Sequence, residues 1–214
     1  MDAEWESELL AHPILYVPWI HGRGTFAVGE HLGRLVASKA GRRPVVVAPT
    51  QAAVASRKNL AAQNIVTERS GFVPDNAVVI AWCPTRKLMQ KLNVAKGSTV
   101  VLVEAPSRSL EAWAKLIGAY NVFTHEVMAA ALTEASTKAL QGIVWEGYNG
   151  WHDEIAETLT LAHLRELDEA EDYDREIVLQ YAEMEGRFPS IHRLKRLLDR
   201  FEKEVAPAAD SLAS

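Results

Sequence analysis

The chain predicts an α/β fold, a three-layer parallel sheet followed by a small helical appendage. Three observations carry that prediction. Two short apolar runs, AVVIAW (77–82) and TVVLVEAP (99–106), each end at a proline-containing turn and lead into a helix-patterned segment. Runs this short and this rich in Val and Ile suit strands covered on both faces, as in parallel sheets. Strand and helix patterns alternate through the first two thirds of the chain, which argues right-handed crossovers. No convincing strand pattern follows Ile143-Val144-Trp145, and from Asp153 onward the pattern is helical.

In chain order, residues 1–12 read as a short helix or arm with Trp5, Leu9 and Leu10 on one face. ILYVPW (14–19) is the first strand, His21-Gly22-Arg23-Gly24-Thr25 a glycine turn, and 26–40 a helix stopped by Gly41. PVVVAPT (44–50) is the second strand and 51–63 a helix; Ile65-Val66 forms a short strand and 69–76 a loop. The strand 77–82 leads to a helix over 85–92 and a turn at Ala95-Lys96-Gly97-Ser98. After 99–106, Ser109 caps a helix to Leu116. A last strand is expected at 120–123 and a helix at 126–140, while Trp82 and Trp113 are expected in the core. GYNG (147–150) breaks the pattern and sets the boundary. The expected division is an α/β domain over 1–146, helices over 147–206 and a flexible tail over 207–214.

Composition bounds the function. The one cysteine, Cys83, forms no internal disulfide, so a reducing, cytoplasmic setting is expected. One Cys and scattered His residues give no zinc spacing, and no metal site is expected. No apolar run approaches a membrane span, and MDAEWESELL lacks the basic start and apolar stretch of a signal peptide. The net charge of -5 conceals an asymmetry: 15 Lys+Arg against 11 Asp+Glu over residues 1–140, but 8 against 17 over 141–214. Within that acidic part a basic cluster stands out.

Four constellations are candidates for chemistry. PWIHGRGTF places Gly22, Arg23, Gly24 and Thr25 between a strand and a helix, where backbone N–H groups can cradle an anion. The lysine of a full phosphate loop is missing; the plainer reading is a tight turn. Glu104 ends a central strand, where such folds bind ligands and a carboxylate can hold Mg²⁺ through water; a solvated or helix-capping acid is the alternative. The third is the segment DREIVLQYAEM–EGRFP–SIHRLKRLLDRFEKEV (174–205), which reads as helix-turn-helix with Ser190 as N-cap. Ile191, Leu194, Leu198, Phe201 and Val205 form its apolar stripe, and Arg187, His192, Arg193, Lys195, Arg196 and Arg200 supply cations suited to phosphates and base edges. The competing reading is a helical hairpin whose basic face pairs with the acids of 166–176, within the chain or across a dimer. Last, Trp145, Tyr148 and Trp151 with His152 suit base stacking, an interface or the cement of a domain junction. His21 and His125 could act as bases only with partners that the sequence does not identify, and Ser107 and Ser109 lack a nucleophile-elbow pattern.

The order PVVVAPTQAAV, AVVIAWCPTRKLMQKL, TVVLVEAPSRSLEAWAKLIG resembles a RecA-like lobe of a superfamily two helicase, a RecA/Rossmann-like fold. In one alignment HGRGT stands at the phosphate loop and LVEAP at the Asp-Glu box. In the other, residues 30–120 resemble the second lobe, whose arginine fingers would flank Ile117-Gly118; no arginine stands there. The resemblance implies that the Walker lysine, the Asp-Glu pair and the fingers needed for phosphoryl transfer are absent. The expectation is a non-catalytic, DNA-associated or helicase-like accessory protein without a cofactor, apart from a vestigial nucleotide. Its expected partners are DNA, a replication or recombination protein, or a second copy, with no membrane. The alternatives are a nucleotide-binding enzyme using HGRGT and a self-assembling structural protein.

Overall fold

The computed structural model describes residues 3–93 and 97–210, with side chains over 6–92 and 97–205. Ala95 and Lys96 of the expected turn, and 211–214 of the expected tail, lie outside the described residues. The chain divides after Ala129 into two compact units.

The first unit runs α1 (Ala3–Leu10), β1 (Ile14–Val17), α2 (Thr25–Ala40), β2 (Val45–Val47), a 3₁₀ turn (Gln51–Val54), α3 (Lys58–Ala61), β3 (Asn64–Val66), β4 (Val78–Trp82), α4 (Arg86–Asn93), β5 (Thr99–Val103), α5 (Glu111–Leu116), β6 (Tyr120–Asn121) and β7 (Glu126–Val127). The fold is α/β with a seven-stranded, mostly parallel sheet of order β3-β2-β4-β5-β1-β6-β7. Among the described strands β6 and β7 pair antiparallel and the other pairs are parallel. The connection from β1 to β2 passes β5 and β4, and the one from β5 to β6 passes β1. This order puts the C-terminal ends of β4, β5 and β1 side by side, in a register that pairs Val103 with both Trp82 and Val17.

The apolar runs become the inner strands because both faces are covered: β2 and β4 are buried at every position. The α2 helix crosses above β5 and β4 at close range. Gly29 lies against Val103 and Gly33 against Ile80, with no room for a Cβ at either position. Both Trp82 and Trp113 are buried, as expected.

Several elements differ from expectation. Residues 51–63 are not one helix. The Thr50 hydroxyl accepts from Ala53 N and sets a 3₁₀ turn first. The helix expected over 126–140 is instead β7 and then α6 (Glu134–Glu146), because Thr133 caps α6 by accepting from Ser136 N. Leu110, not Ser109, is the N-cap of α5, although the Ser109 hydroxyl accepts from Glu111 N.

The second unit is helical: α6, a 3₁₀ turn (Gly147–Asn149), α7 (Glu154–Glu169), α8 (Arg175–Ala182), a kinked segment over 183–190 and α9 (Ile191–Asp210). The boundary expected at 146/147 moves to 129/130, since α6 packs on α7, with Gly142 beneath the His163 ring. GYNG is therefore an internal turn rather than a linker. The tail expected to begin at 207 is helical through Asp210. Among the described residues no helix is long and apolar enough to cross a membrane.

Candidate functional site

Three turns meet where β1, β4 and β5 end, the side on which parallel sheets bind ligands. Glu104 follows β5 and is only 6 % exposed. Its Oε1 accepts from the Tyr16 hydroxyl at 2.6 Å and from Leu110 N at 2.7 Å, and its Oε2 accepts from Trp19 N at 2.7 Å. A buried carboxylate needs such donors, and here the chain supplies all of them. Glu104 is thus not a solvated acid. It ties the turn after β1 to the start of α5. Burial first, and then the neighbouring carboxylate, push the Tyr16 hydroxyl pKa far above its ordinary value.

The Gly22–Thr25 turn stands beside it. Gly22 (φ 78°) and Gly24 (φ 67°) occupy the left-handed region and face open space, which is why glycine serves there. Gly24 is the N-cap of α2 and supplies no side-chain cap. Thr25 is 1 % exposed, and its hydroxyl donates to Pro18 O at 2.9 Å and accepts from Ile20 N at 3.3 Å. Arg23 is exposed.

Beside Trp82 and Cys83, the structure adds Trp19, Phe26, Arg57 and Arg108, which the sequence did not single out. Trp19, Phe26 and Trp82 form a run of ring contacts at 5.2 and 5.3 Å. The Arg57 guanidinium lies 5.5 Å from both the Phe26 and Trp82 rings and 3.6 Å from the Glu30 carboxylate. Cys83 takes a left-handed conformation (φ 48°) after β4. Burial pushes its thiol up to about 11, although Arg108 and Arg57 oppose the shift. Arg108 stands in the PSRSL turn quoted above, a usable signal; Arg57 belongs to no pattern that could have found it. A groove of about 570 Å³ opens near the ends of β2 and β3, lined by Thr50, Thr67, Arg69 and Ser70 among others. Its hydroxyls serve the loop itself, Thr67 with Ser70 at 2.9 Å. Among the described residues no three His, Cys, Asp or Glu side chains group as metal ligands would.

In the helical unit the six expected cations separate. Arg187 Nε donates to Val144 O at 3.1 Å, and its guanidinium lies 5.5 Å from the Tyr148 ring centre. Arg193 donates to Trp151 O at 3.4 Å, and Arg200 pairs with Glu204 at 3.0 Å. His192, Lys195 and Arg196 are exposed on α9. Ser190 closes a 3₁₀ turn rather than capping α9. Ion pairs between these segments run with the cation on the acidic side: Arg175 reaches Asp199 and Glu202 at 2.6 Å each, and Arg165 reaches Glu204 at 2.9 Å. The aromatic group divides too. Trp151 is 1 % exposed, whereas Trp145 and Tyr148 are 76 % and 75 % exposed. No family model, curated protein or solved structure matches this chain, so the arrangement of these residues is what carries a functional reading.

Proposed function

We propose that the chain is a non-catalytic, DNA-associated accessory protein of helicase-like type, with a RecA-like α/β unit as scaffold and contact residues on the helical unit. The observation that carries this reading is the commitment of Glu104. A motor carboxylate must be available to a hydrated metal or an attacking water, but each Glu104 oxygen already accepts from the chain. The hydroxyl of Thr25, the residue a phosphate loop would turn toward a metal, is likewise held by Pro18 and Ile20. The contact side rests on His192, Lys195 and Arg196, which are exposed on α9.

Binding of labelled DNA across a salt series tests this. Affinity should fall as salt rises, and Lys195→Ala with Arg196→Ala should flatten the slope by about 2, one per phosphate contact. Steady release of phosphate from ATP, or wild-type affinity no higher than that of an acidic control protein, would overturn the proposal.

A second reading has one observation behind it. The open left-handed glycines at the uncapped start of α2 suit an anion. On that reading ATP or inorganic phosphate at millimolar level raises Tm, and Arg23→Ala removes the rise. No rise in the wild type removes this reading.

A further inference from the structure

We infer that Trp145 and Tyr148, with Arg187, form a stacking platform for single-stranded nucleic acid. The inference rests on the DNA-associated reading and deepens it by naming the strand form and the place.

The two rings are among the most exposed large apolar side chains of the chain, and they stand three residues apart, on the last turn of α6 and in the 3₁₀ turn that follows. Exposure to this degree gains nothing for folding. The turn beneath them is fixed. The Trp151 ring fills the space where a side chain at Gly147 would stand, and Ser190 packs against Gly150, which is left-handed (φ 79°). The guanidinium of Arg187 is held by Val144 O and lies against Tyr148, leaving that ring largely open. Arg193 ties the first turn of α9 to Trp151 O, bringing exposed His192 and Arg196, four residues apart, to this end of the unit.

Open π-faces beside a held guanidinium and further cations are what unstacked bases and their phosphates need. A duplex offers no base faces, and its cylinder meets protruding rings poorly. Glu146 and exposed Glu185 share these segments. Stacking therefore supplies more of the contact than charge does, and binding of the single strand depends less on salt than binding of a duplex.

Fluorescence anisotropy of the full chain with labelled dT20 and with a 20-base-pair hairpin tests the platform. Trp145→Ala with Tyr148→Ala should weaken dT20 binding about tenfold or more and duplex binding less than twofold, with unchanged Tm. Tyr148→Phe keeps the ring and should retain dT20 binding. If the double variant binds dT20 within twofold of the wild type, the platform is refuted while the accessory reading stands. Wild-type failure to bind either DNA refutes both. A wild-type dimer that the double variant makes monomeric, with dT20 binding unaffected, assigns the rings to self-association and refutes the platform.

Discussion

In the α/β unit one carboxylate, Glu104, is buried and receives three donors, two from β1 and the turn directly after it and one from the start of α5. In the helical unit Arg175 divides itself between Asp199 and Glu202, with all three side chains partly in water. The first arrangement leaves donors stranded if the carboxylate is lost; the second lets solvent replace whatever is removed. The Glu104 cluster thus weighs more on stability than the Arg175 cluster does.

The sharpest way to break this contrast is Glu104→Ala, which leaves the Tyr16 hydroxyl and two backbone N–H groups unsatisfied. A loss of about 3–5 kcal/mol is expected in the urea transition of the α/β unit. A loss below about 1 kcal/mol would mean that water enters and that Glu104 is no keystone. Next comes Gly33→Ala, whose Cβ meets Ile80. Overpacking should cost about 1–3 kcal/mol, offset by up to about 1 kcal/mol of helix propensity. An equal substitution at Gly186, where nothing surrounds the Cβ, tests conformational strain alone, since its φ is 81°.

Alkali probes both units. The Tyr16 and Tyr173 hydroxyls are held above their ordinary values, each by burial first and then by a carboxylate, Glu104 and Glu202 respectively. With the folded value above the unfolded one, the stabilisation is complete below about pH 10 and is lost as pH rises above it. Cys83 loses its share between its ordinary value and about 11, and a thiol reagent at pH 8 should modify it more slowly than free cysteine. Denaturation midpoints that stay flat from pH 9 to 11 would contradict all three. The smallest effect belongs to Arg175→Ala, about 1 kcal/mol in low salt and less in 1 M salt. A larger, salt-independent loss would make the helical unit resemble its neighbour.

The inner strands were legible because burial on both faces leaves an apolar run. Glycine after α2 was legible because a left-handed stop favours it. Residues 126–140 were not legible. Ala129-Ala130-Ala131-Leu132 looks helical, yet the start of α6 is set by Thr133 with Ser136 and by Asp172 from a distant turn. Glu104 was placed correctly at a strand end, but its partners Tyr16 and Trp19 come from the far side of the sequence. The cations of α9 could be assigned to a helix. That carbonyls of Val144 and Trp151 would take two of the six candidate side chains depended on tertiary contacts no local pattern records.

The Glu104 clasp also couples motions. Trp19 N and Leu110 N belong to crossovers leaving neighbouring strands, and one side chain fastens both. Neither loop can peel from the sheet without releasing the other, so their amide protons should exchange with solvent in a single concerted event. Whatever first loosens one rim of the sheet thereby loosens its neighbour.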